Sequence, residues 1–153
     1  CPPVVPCDDP ANRDASIPLP ADPIKYMKLR WTVVQDATGA TSNIDQTRVD
    51  DLMTELNADF AAYRMQFCAD PATFVTDNTY YTLNVASEDA GLKTAHGSNF
   101  SNEINIYVVN NITNPNAGGY ARFPYDPFGG TNLRGGVVMG RTNSVVGTHT
   151  LAH

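Results

Sequence analysis

Apolar and polar residues alternate from Met27 to Val34. Met27, Leu29, Trp31 and Val33 fall on one side, and Lys28, Arg30 and Thr32 on the other. A two-residue period predicts a strand with one buried face, with Trp31 in the core. A helical period follows. Val49, Leu52, Met53, Leu56 and Phe60 share one face of a helix expected over 45–63. Asp45 is its expected N-cap, and Ile44 with Val49 its hydrophobic staple. Residues 64–68 read as a second strand, broken at Asp70-Pro71. Residues 74–83 are rich in Thr, Tyr and Val and suit an irregular strand. Ser87-Glu88-Asp89 places a cap and acids at the start of a short helix over 87–96. From Ile106 to Val109 both faces are apolar, so the strand over 103–110 is expected inside a sheet. Residues 111–118 carry turn chemistry. Residues 119–124 form a short edge strand ended by Pro124. A loop over 125–134 leads to a strand at Val137-Val138-Met139, then to a terminal helix from about Asn143 or Ser144. Strands and helices mix along the chain, which predicts a mixed sheet with helices packed on it.

Before this pattern lies a proline-dense stretch: Pro2, Pro3, Pro6, Pro10, Pro18, Pro20 and Pro23. Proline lacks a backbone donor, so residues 1–25 are expected to be an arm or linker without regular structure. Residues 26–153 then form the folded unit. At 153 residues the chain can bury a sizeable core. Its formal charge of −6 and the lack of any Lys/Arg run argue against a nucleic-acid partner. No apolar stretch approaches the roughly 20 residues of a spanning helix. Cys1, Cys7 and Cys68 leave three readings open. Cys1 and Cys7 could staple the arm while Cys68 pairs elsewhere; all three could be free thiols; or Cys1 could carry a bacterial lipid anchor. The cysteines and the start at Cys1 suit an oxidising, extracellular or cell-surface compartment, with a bacterial source expected. Asn99-Phe100-Ser101 and Asn111-Ile112-Thr113 match the glycosylation sequon, a short pattern that also arises by chance.

Four segments in order resemble the pappalysin-like branch of the metzincin zinc metallopeptidases. They are Ile104–Asn110, Gly119–Pro124, Gly135–Met139 and Gly147-Thr148-His149-Thr150-Leu151-Ala152-His153. Leu56–Phe60, in a helix followed by a strand ending at Phe67-Cys68, is a softer match. The resemblance implies an α+β, metzincin-like N-terminal subdomain: a twisted mixed sheet, a backing helix and the start of the active-site helix. In the family that helix reads H-E-x-x-H-x-x-G-x-x-H. His153 aligns with its first histidine, so the resemblance implies a zinc ligand there and a general-base Glu directly after it. It implies that a C-terminal subdomain completes the site as a partner. It also implies a protein or peptide substrate, paired along Gly119, Tyr120, Ala121 and Arg122. The chemistry would be peptide hydrolysis by zinc-activated water. On this reading residues 1–153 alone are inactive.

Milder readings stand beside these. His149 and His153 are four apart and could share a metal, but Thr150 follows His149 where the family has Glu. His149 then reads as a helix-start residue. His96 suits helix-dipole complementation at a helix end. Asp51, Glu55 and Asp59 recur every four residues; calcium is conceivable there, and a solvated acidic face is the default. Gly118-Gly119 and Gly129-Gly130 lack the Gly-Lys-Ser/Thr of a phosphate loop. Tyr120, Tyr125 and Phe128 could contact a substrate or cover the sheet edge. The alternative to a protease is a secreted adhesion or assembly module that keeps the fold with a degenerate site.

Overall fold

In a computed structural model, the structure describes residues 17–38, 44–122, 127–128, 132–133, 135–145, 147 and 151. Strand β1 (Lys25–Gln35) opens the fold. Helix α1 (Gln46–Phe60) follows and ends in a 3-10 turn, Ala61–Tyr63. Then come β2 (Met65–Ala69), β3 (Thr73–Thr76), α2 (Asn78–Tyr81) and β4 (Thr82–Asn84). Helix α3 (Val85–His96) leads to β5 (Ile104–Val109) and β6 (Asn111–Thr113). Strands β7 (Gly119–Arg122), β8 (Pro127–Phe128), β9 (Asn132–Leu133) and β10 (Gly136–Gly140) complete the order, before a 3-10 turn at Arg141–Asn143.

The main sheet has six strands in the order β2-β1-β5-β10-β7, with β3 also paired to β1 beyond β2. Every pairing in it is parallel except β10 with β7. Parallel strands need crossovers, and α1 and α3 lie in them. Strand β5 is central and buried on both faces, as its apolar run requires. Ile106 and Val108 join the α1-side core with Leu29, Trp31, Val33, Val49, Leu52, Leu56 and Met139. Tyr107 and Val109 join the opposite core with Leu83, Leu92, Ile112 and Val138. Asn105, buried in β5, exchanges both amide bonds with the Ser98 backbone.

Helix α1 forms as its sequence dictates. Asp45 accepts from Arg48 N at 2.8 Å, and Ile44 and Val49 are both buried in one core. Trp31 is 1% exposed, and its Nε1 donates to Met53 Sδ. Asn57 closes the far edge of the sheet: its amide donates to Phe67 O at 3.0 Å and accepts from Phe67 N at 2.7 Å.

The middle of the chain departs from the pattern. The irregular strand expected over 74–83 is β3, the short α2 and β4. The cap of α3 is Asn84 rather than Ser87. Asn84 Oδ1 accepts from Ala86 N, and Glu88 reaches back to Asn84 N at 2.7 Å. The turn expected over 111–118 begins with β6, which pairs with β4 in a separate two-stranded sheet. The loop over 125–134 contains the β8–β9 pair. Of the arm over 1–25, residues 1–16 lie outside the described residues, and Ile17 to Ile24 are mostly exposed. Most of the expected terminal helix, with His149 and His153, also lies outside them.

Candidate peptide-binding edge

The antiparallel strand β7 forms one edge of the sheet; among the described residues it pairs with β10 alone. Its backbone directions follow from one hydrogen bond. Gly140 N donates to Gly118 O at 2.8 Å. This pair continues the register in which Met139 faces Gly119 and Val138 faces Tyr120. Bonded and non-bonded pairs alternate along an antiparallel ladder. Tyr120 and Arg122 therefore turn their N–H and C=O toward β10. Gly119 and Ala121 turn theirs outward, as free pairing groups for an added strand. Small residues suit this rim: a Cβ on Gly119 would stand 3.1 Å from Val138 O.

The side chains of Tyr120 and Arg122 go the other way, under the sheet, to α3. Tyr120 Oη donates to Asp89 Oδ1 at 2.6 Å, and Arg122 Nε donates to Asp89 Oδ2 at 3.0 Å. Lys93, one helical turn from Asp89, places its Nζ 2.9 Å from Oδ1. That ammonium also sits 5.4 Å from the centre of the Tyr120 ring. Burial, and then the Asp89 carboxylate, push the Tyr120 hydroxyl well above the usual phenol range, so it stays a neutral donor. Of the four residues expected to meet a substrate, two thus offer outward backbone and two anchor the strand.

Strand β10 starts at Gly136, whose φ of +126° no other residue adopts easily. It lies between β5 and β7 and leads toward Gly147–His153. Ser144 is buried, and its Oγ donates to Gly140 O at 3.2 Å. Gly147, at φ +84°, donates its N–H to Glu55 Oε1 of α1 at 2.8 Å. Leu151 packs on the α1-side core. Glu55 is therefore a backbone anchor for this segment as well as one of the α1 acids. Among the described residues no group of three or more His, Cys, Asp or Glu is placed to hold a metal ion. Asp51, Glu55 and Asp59 make no such group, and no step can be derived through a metal from these residues. His96 Nε2 lies 2.8 Å from Asp77 Oδ2, so its partner is a side chain as well as the end of α3. Cys68 is exposed and unbridged. Among the described residues no helix is long and apolar enough to cross a membrane.

Sequence reasoning named Asp89 as a helix-start acid and Glu55 as part of an acidic face, but missed Lys93 and the anchoring roles of all three. The four-residue Asp89–Lys93 spacing was visible, but their partners lie 31 and 33 residues away from Asp89.

No family model and no curated protein matches the chain. Solved structures do. The mature mirolysin of Tannerella forsythia, solved in complex with a cleaved peptide, is 19% identical with a TM-score of 0.56. The likeness covers 86% of this chain and 62% of mirolysin, so the chain spans less than two thirds of that protein's length. Metalloproteinase-II of Bacteroides fragilis is 9% identical over 88% of this chain and 43% of its own, at a TM-score of 0.46 too low to carry weight. The chain accordingly shares its fold with mature mirolysin: a mixed α/β unit with a twisted, mostly parallel sheet.

Proposed function

We propose that this chain is the N-terminal part of the catalytic domain of a secreted, zinc-dependent endopeptidase of the pappalysin-like branch. The observation that carries the reading is the pair of outward backbone sites, Gly119 and Ala121. They lie on the antiparallel edge strand, next to the strand that leads into Gly147–His153. An extended peptide would pair along β7 as an added strand. On the far side, Asn57 closes β2 at Phe67, whereas β7 presents its outward groups beside the strand that leads toward His153. His153 would be the first metal ligand, held by a segment anchored through Gly147 to Glu55 and through Leu151 to the core. Zinc, when bound, would activate water and polarise the peptide carbonyl. The remaining ligands and the general base would follow His153 in the natural chain. The fold shared with mirolysin, which was solved with a cleaved peptide, supports a peptide substrate.

The test is hydrolysis of an extended peptide by the natural protein. Cleavage that a chelator abolishes and added zinc restores is the expected result. Peptide binding with no cleavage under any metal would replace this reading with an adhesion or assembly module using the same edge.

A further inference from the structure

We infer that the buried Asp89–Lys93 pair is a positioning device that sets the register of the peptide-binding edge strand. The inference rests on the proposed function and adds residues to it. Asp89 is 2% exposed and Lys93 fully buried, although both are ionisable. A single carboxylate gathers three partners: the Lys93 ammonium of its own helix as an ion pair, and two hydrogen-bond donors, Tyr120 and Arg122, from β7.

Stability alone is a poor reason for such a cluster. Buried ion pairs give up their hydration, and apolar side chains of similar volume often stabilise as well or better. Register is a better reason. Strand β7 has four residues and, among those described, a ladder on one side only. A slip by one residue would turn Tyr120 and Arg122 to the opposite face and break both bonds to Asp89. A slip by two would bring Arg122 to the Tyr120 position and leave one carboxylate oxygen without its strand donor. Either slip removes donors from a charge that water does not reach, a heavy penalty. The native register is the one that presents Gly119 and Ala121 outward.

The consequence falls on substrate binding. A peptide that adds to an edge gains affinity only after the edge is ordered, so ordering in advance strengthens binding. Asp89 touches no substrate. It acts through Tyr120 and Arg122, and its effect grows with the length of peptide laid along β7.

The experiment uses Asp89→Asn in the natural protein, which keeps the shape and removes the charge. Two substrates are compared: a long peptide spanning the edge and a short one reaching only the scissile bond. KM for the long peptide rises about tenfold, with kcat and the short-peptide KM within about twofold. Hydrogen exchange at the Tyr120 and Arg122 amides, which pair with β10, quickens. Tyr120→Phe, which removes one hydroxyl, shifts both readouts the same way by less, and it carries the test if Asp89→Asn does not fold. An unchanged long-peptide KM together with unchanged exchange in a folded variant overturns the inference and leaves the proposed function standing. A wild-type protein that neither binds nor cleaves peptide overturns both.

Discussion

Single residues hold this fold where backbone or charge leaves no substitute. Gly136 is one. Its φ of +126° is open to glycine, and a Cβ there would come 2.5 Å from Asn105 O. Gly136→Ala is expected to cost about 2 kcal/mol or more, read as a lowered denaturation midpoint. Asp77 is another. Burial alone would raise its pKa, but hydrogen bonds from His96 and from Thr79 outweigh that and lower it. A carboxylate depressed in the folded state adds stability above its unfolded pKa. That stability is lost as pH falls through the folded value. Wild-type melting temperature should therefore drop below the ordinary carboxylate range more steeply than that of Asp77→Asn. Equal slopes would remove Asp77 from the acid response. At this scale, sequence showed which residues could matter better than what they touch. An edge strand was read over 119–124, but nothing local could reveal a carboxylate on α3 as the shared partner of Tyr120 and Arg122.

Elements were legible where one signal dominated. Strand β1 carries clean alternation, and α1 has a cap, a staple and a full apolar stripe, so both formed. Strand β1, however, is buried on both faces where one was expected, because Thr32 and Val34 on its other face are covered, Val34 by the opposite core. The stretch 74–96 had competing signals. Asp77 caps the short α2, while Asn84 and Ser87 compete to cap α3, and that choice was settled by a distant event. Strand β4 pairs with β6, 29 residues on, which fixes Asn84 at the strand end and the helix start. Asn84→Ala is expected to cost about 1 kcal/mol, while Ser87→Ala, at an exposed position past the cap, should change stability by less than about 0.5 kcal/mol. Chemical denaturation of the two variants decides between the caps. The reverse order of effects would restore Ser87.

The whole molecule divides into a scaffold and a rim. Parallel strands and their crossover helices bury two cores, one on each face. Among the described residues, the one antiparallel strand of the main sheet, β7, sits at its edge, where its outward groups can meet another chain. Fold class and the edge position of β7 were readable from the order of strands, helices and motifs along the chain. The anchoring of Gly147 to Glu55 was not, since it joins positions 92 residues apart. Both anchors of the terminal segment, Glu55 and the core under Leu151, belong to or border α1. On the proposed reading, α1 supports the segment that carries His153. The most direct test is the zinc content of the natural protein and of its His153→Ala variant, both purified folded and measured by elemental analysis. About one zinc per chain is expected in the first and a loss of roughly tenfold or more in affinity in the second. Equal zinc in both, with peptide hydrolysis intact, would contradict the proposed reading.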